Sequence, residues 1–161
     1  TFHMWPKNWG WFDTANPDDT FAPAMQKARD YMSSHLDLAM KLDKPIVLEE
    51  FGLDRDGGGF AAEAPTTLRD RFYGIVFEQV ESSLGSEGPL RGTNFWAWGG
   101  HGRAEHEDYL WREDDRSYTG DPPQEPQGLY SVFNSDASTL EKVRRHADRL
   151  AGTGCGPAIE Q

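Results

Sequence analysis

The stretch Lys44-Pro-Ile-Val-Leu-Glu-Glu-Phe-Gly-Leu53 constrains this chain more than any other. Proline precedes three apolar residues that run into two carboxylates, and a glycine ends the pattern. A short continuous apolar run bounded in this way predicts a parallel strand buried on both faces. Acidic residues are among the least often buried, so a pair at the tip of such a strand points to function. Strict alternation would turn Ile46, Leu48 and Glu50 to one side of the sheet and Val47 and Glu49 to the other. One carboxylate is therefore expected on each side. Glu50, last before the break, is the candidate for chemistry, and Glu49 is expected to pair with a helix Lys or Arg.

The segments around this strand alternate in type. Residues 1–5 read as a short strand stopped by Pro6, and residues 7–19 as a loop of turn formers holding two tryptophans. Apolar residues at 21, 25, 28, 32, 36 and 39 predict a helix from Phe21 to about Leu42, with Pro23 in its first turn and Asp18, Asp19 or Thr20 as its cap. A second helix is expected over 66–84, opened by a Thr67/Asp70 capping box. A strand follows over Gly92–Gly99, then a long polar loop over 100–128. A short extended piece over Leu129–Phe133 and a helix over Asp136–Leu150 complete the order. Alternation of this kind argues for βα units around a parallel sheet. Three strands alone leave two bare edges, and the chain opens on a strand already in progress. The expectation is a fragment of a longer protein: residues 1–152 as part of a catalytic domain, with 153–161 as a tail.

Composition narrows the function. Lys and Arg number 16 against 27 Asp and Glu, a formal charge of −11. Such a surface repels phosphate, which argues against nucleic acid and anionic membranes as partners. No apolar run reaches the roughly 20 residues of a membrane span. The lone Cys155 cannot form a disulfide within the chain. All six tryptophans (5, 9, 11, 96, 98 and 111) fall on strand ends or the loops after them. In βα architectures those loops build the active site. Indole offers a flat apolar face to sugar C–H groups, and carboxylates take sugar hydroxyls. A strand-tip carboxylate among indoles suits glycoside hydrolysis, which commonly uses a carboxyl pair.

Four segments then carry a resemblance: Thr1-Phe-His-Met-Trp-Pro-Lys-Asn-Trp-Gly10, Pro45-Ile-Val-Leu-Glu-Glu-Phe-Gly52, Asn94-Phe-Trp-Ala-Trp-Gly-Gly100 and Gly120 to Phe133. In this order they resemble glycoside hydrolase family 5, most closely its bacterial endo-β-1,4-mannanases. The resemblance implies an α/β fold, the C-terminal portion (about strands 6–8 with their helices) of a (β/α)8 TIM barrel. It implies Glu50 as nucleophile, His3 beside it, and Trp5 where the family usually has a tyrosine bonded to the nucleophile. Trp96 matches the tryptophan under the sugar being cleaved. Trp9, Trp98, Arg103 and His101 are further substrate-binding candidates. The acid/base glutamate follows an asparagine in that family, and no Asn-Glu pair occurs in this chain.

The implied activity is retaining hydrolysis of β-1,4-mannan without a metal or organic cofactor. These residues would be inactive alone and would need the rest of the barrel as partner. Alternatives are a β-1,4-glucanase of the same family and a non-catalytic polysaccharide-binding fragment. Activity on a polymer implies a secreted or periplasmic protein. The cluster His101-Gly-Arg-Ala-Glu-His-Glu-Asp108 and the run Asp13 to Asp19 lack zinc or calcium ligand spacing and read as solvated loops.

Overall fold

The computed structural model describes residues 1–154. Its centre is a parallel three-stranded sheet in the order β1-β2-β3, formed by β1 (Phe2–Met4), β2 (Ile46–Phe51) and β3 (Leu90–Phe95). The helices α1 (Pro17–Leu42), α2 (Thr67–Gly85) and α3 (Ala137–Gly154) connect and follow the strands. A second, two-stranded parallel sheet pairs β4 (Trp98–Gly100) with β5 (Val132–Phe133). Residues 155–161, which hold Cys155 and most of the expected tail, lie outside the described residues. The chain thus forms an incomplete α/β arrangement, part of a barrel and not a closed one. Among the described residues β1 and β3 are the two edges of the sheet.

The core lies between the sheet and the helices. Phe2, Met4, Leu48, Phe51 and Leu90 from the strands meet Met25, Met32, Phe72, Val76 and Val80 from the helices. Phe51 is the hub, with Phe72, Tyr73 and Phe77 of α2 around its ring at centroid distances of 5.9, 5.0 and 6.2 Å.

Helix α1 starts four residues earlier than its apolar spacing predicts. Asn16 is its cap and Pro17 takes the first turn, where a missing N–H costs nothing, so Pro23 falls inside the helix. The capping box expected at α2 is replaced. Thr66 is the cap, and the Asp56 carboxylate accepts the N–H groups of Thr67 and Leu68 at 2.9 Å each. Asp70 turns instead to Thr66 and Thr139. The strand expected over 92–99 is divided: β3 ends at Phe95, and β4 resumes at Trp98 in the other sheet.

The alternation along β2 also fails at the carboxylates. Leu48 pairs with Phe2 and Glu50 with His3, so two steps on β2 oppose one on β1. The register against β3 slips over the same residues. Leu48 and Phe51 are both fully buried although three residues apart. A bulge therefore sits at Glu49–Glu50. Glu49 is exposed, and among the described residues it makes no ion pair.

A buried charge cluster ties the loop after β2 to the last two helices. Asp136 accepts from Arg55 Nη2 at 2.7 and 2.9 Å and from Arg69 Nη2 at 2.6 Å. Both guanidiniums are fully buried. Burial, then the neighbouring Arg69 charge, pulls the Arg55 pKa below its usual value.

Candidate active site

Glu50 and His3 lie side by side because β1 and β2 are parallel and in register there. The His3 Nδ1 is 3.2 Å from Glu50 Oε2, and both side chains are partly open to solvent. Their strand neighbours Met4 and Phe51 turn into the core, so the pair projects from a rigid floor.

Glu50 opens into a cavity of about 220 Å³ that also takes in Trp5, Asn8, Trp96, Pro122, Glu125 and Tyr130. Trp5 meets Tyr130 at 4.9 Å between ring centroids and stands edge-on to Trp96 at 6.3 Å. The wall is compact because of Gly52. A Cβ there would lie 2.8 Å from the Trp96 carbonyl oxygen, 3.0 Å from the Trp5 ring and 3.2 Å from the Tyr130 ring. This close approach explains why glycine stands two residues after the strand-tip glutamate. Trp5 contributes ring faces and edges; among the described residues it makes no hydrogen bond to Glu50.

Tyr130 and Glu125 arrive on a loop braced from within. The Asp121 carboxylate accepts the N–H groups of Gly128 and Tyr130 and the hydroxyl of Ser131. The Gln127 side chain donates to the carbonyls of Asp121, Pro122 and Glu125 and accepts from Thr119. Burial, then the Asp121 charge, pushes the Glu125 carboxyl upward. Burial together with the Asp54, Glu125 and Asp121 charges pushes the Tyr130 phenol well above its usual value. The phenol donates to Asn8 Oδ1.

The structure brings His3, Trp5, Glu50 and Trp96 together. Trp5, Glu50 and Trp96 line the cavity and His3 stands beside it on Glu50; Trp9, Trp98, His101 and Arg103 are not among its lining residues. Trp9 packs on Trp11 and on Tyr31 of α1, at 4.9 and 5.2 Å. Trp98 is exposed on β4, and His101 is exposed in the turn after it. Arg103 bonds the carbonyls of Gly100 and Gly102 and the side chains of Asn134 and Ser135, with its guanidinium 4.5 Å over the Phe133 ring. These contacts make it a loop clamp. Asn8, Pro122, Glu125 and Tyr130 are the lining residues that sequence reasoning missed. The available signal was a carboxylate in a proline-dense loop after a strand, a common site of binding residues.

Among the described residues no three His, Cys, Asp or Glu side chains gather as a metal site. His106 pairs with Asp115 at 2.7 Å, and Glu105 accepts the backbone N–H groups of Arg116 and Ser117, which orders the long loop. No described helix is long and apolar enough to cross a membrane.

Comparison with known proteins places this geometry. A family model described as GH family 5 beta-mannosidase-like matches residues 1–154. Mannan endo-1,4-beta-mannosidase 3 of Oryza sativa subsp. japonica is 33% identical over 97 residues, which cover 60% of this chain and 19% of that protein. Mannan endo-1,4-beta-mannosidase 5 of Arabidopsis thaliana is 25% identical over 145 residues, 88% of this chain and 28% of that one. The crystal structure of a glycoside hydrolase family 5 mannosidase from Rhizomucor miehei matches with a TM-score of 0.83 and 34% identity, covering 94% of this chain and 37% of that one. A glutamate-to-alanine variant of the same fungal protein, in complex with mannosyl-fructose, matches with the same TM-score at 33% identity and the same coverage. The chain thus spans about a fifth to just over a quarter of the curated relatives' length and just over a third of the fungal mannosidase. These relatives are plant and fungal, so the likeness is to the family and not to its bacterial members in particular. The chain belongs to glycoside hydrolase family 5, in its beta-mannosidase-like group.

Proposed function

We propose that these residues carry the nucleophile side of a retaining β-mannoside hydrolase acting on β-1,4-mannan, with Glu50 as the nucleophile. The observation that supports this most is Glu50 at the tip of β2, held against His3 and opening into an aromatic-walled cavity. Glu50 would attack the anomeric carbon to give a glycosyl-enzyme intermediate. A second carboxyl group about 5–5.5 Å away would protonate the leaving oxygen and then activate water. That acid/base group is supplied from outside these residues, as the strand-six-to-eight reading of the fold implies, and the chain by itself would not turn over. Trp96 and Trp5 give the sugar ring its apolar walls, and His3 orients the nucleophile. The mannan assignment draws on relatives named for mannan endo-1,4-β-mannosidase activity. A polymer of this kind is met outside the cytoplasm, so the protein is proposed to be secreted or periplasmic.

The test uses the complete gene product that contains these residues. Glu50→Gln is expected to lower mannan hydrolysis by a factor on the order of 10³–10⁶. A 2-fluoro-mannosyl fluoride should label Glu50, read by peptide mass spectrometry. Turnover within a few fold of wild type, or label on another carboxylate, sinks the assignment. Faster hydrolysis of carboxymethylcellulose than of galactomannan would move the substrate to β-1,4-glucan. Mannan binding without release of reducing ends would make the protein a non-catalytic binder.

A further inference from the structure

Asn8 is held from two directions by residues the catalytic reading does not use. Its neighbour Lys7 donates to Asp54 Oδ2 at 2.6 Å, and Thr14, beyond the turn, donates to the same oxygen at 2.7 Å. Asp54 is itself buried, four residues after Glu50. The backbone of the turn closes on itself, with Trp9 N–H on the Trp5 carbonyl and Gly10 N–H on that of Lys7. These contacts fix where the Asn8 backbone sits. The Asn8 side chain is fixed separately, by the Tyr130 phenol on its Oδ1.

We propose that Tyr130 is a positioning residue: by donating to Asn8 Oδ1 it sets the orientation of that amide, so that the Asn8 NH₂ is presented as a fixed donor to a sugar hydroxyl in the Glu50 cavity. This rests on the cavity being the mannoside site. An amide has one acceptor end and one donor end, and a phenol can address either. Were the amide reversed, its NH₂ would donate to the phenol oxygen and the phenol proton would need another acceptor. Among the described residues Tyr130 O–H has none but Asn8. Tyr130 is 2% exposed, so water cannot readily substitute. Burial and the surrounding carboxylates raise the pKa of the phenol, which favours its protonated, donating form. The amide is thereby held in one of its two faces without a contact from the substrate, which is preorganisation of a binding group.

The decisive experiment is done on wild type, Tyr130→Phe, Asn8→Asp and the double variant of the complete gene product. Tyr130→Phe keeps the ring against Trp5 and Gly52 and removes only the hydroxyl. Wild type should show a slowly exchanging Tyr130 hydroxyl proton by NMR, with a cross-peak to the Asn8 side chain. That proton should persist in Asn8→Asp, whose carboxylate still accepts. Mannobiose affinity should fall about tenfold in each single variant, a lost hydrogen bond's worth. The double variant should lose no more than either single one, because both break one unit. Absence of the hydroxyl proton, unchanged affinity in Tyr130→Phe, or additive losses would each overturn the role of Tyr130. A wild type that shows the proton and its cross-peak but binds no mannobiose would overturn the mannoside reading of the cavity, and with it the sugar as recipient of the Asn8 donor.

Discussion

His3 Nδ1 stands 3.2 Å from Glu50 Oε2 across two adjacent strands, where the register sets the two residues opposite each other. Both side chains are partly exposed, and an exposed pair of this kind is worth at most about 1 kcal/mol of stability. Its effect should appear in turnover. In the complete gene product His3→Ala should lower kcat on mannan by about a hundredfold, the cost of a nucleophile free to misplace itself. The melting temperature should change little. A large loss of stability with kcat unchanged would contradict this.

Gly52 gives a second, sharper test. Its site has no room for a methyl group, since the Trp96 carbonyl oxygen and the Trp5 and Tyr130 rings all crowd it. Gly52→Ala should cost about 1–3 kcal/mol in urea unfolding, the usual cost of overpacking. It should also shift the tryptophan emission of the native state, because the Trp5 wall must move. Wild-type stability and emission would mean that the wall is looser than described.

Asp136 bridges two buried guanidiniums and also accepts the Phe133 N–H at 2.8 Å. Asp136→Ala would leave Arg55 and Arg69 facing each other without an anion between them. A loss of about 3–5 kcal/mol is expected, read as a lower urea midpoint. Asp136→Asn, which keeps the shape and loses the charge, should fall between that variant and wild type.

Acid sensitivity has a named contributor. Burial pulls the Glu81 carboxyl upward, but hydrogen bonds from His146 and Arg149 and their charges outweigh it and hold the group below its usual range. A depressed carboxylate stabilises the fold above its unfolded pKa of about 4.3 and loses that contribution as pH falls through the folded value. The melting temperature should therefore drop on going from pH 5 toward pH 3. Glu81→Gln should make that drop shallower and lower the value near pH 6. An unchanged acid limb would exclude Glu81 as a contributor.

What the sequence reveals divides along the same physical lines. An apolar run ending in carboxylates is a local signal, and it located β2 and brought Glu50 to notice. Helical spacing locates α1 and α2, whose buried faces are largely apolar; α3 is legible as a helix, but its buried positions are the polar Thr139 and His146. Caps are less legible: Asp56 serves the start of α2 from 11 residues away, beyond any local box. The bulge at Glu49–Glu50 was invisible, since it arises from pairing with β1 and β3. Trp9 shows the limit for aromatic residues, whose chemistry suits a sugar and a helix equally. Only the position of Tyr31 puts it on the helix. Asn8 and Tyr130 meet across 122 residues; each lies in a segment that carries the family resemblance, but nothing local marks their pairing.

The loop from Gly120 to Tyr130 is braced internally through Asp121 and Gln127 and tied to the rest of the fold at Tyr109, Ala97 and Asn8. Such a segment behaves as a cartridge. It carries Glu125 on its own bracing and Tyr130 with two fixed neighbours, the Trp5 ring and the Asn8 amide. Moved onto another barrel at the same strand exit together with Trp5, Asn8 and Tyr109, it should keep its contour, and one wall of the cavity could be exchanged without rebuilding the strand that holds Glu50.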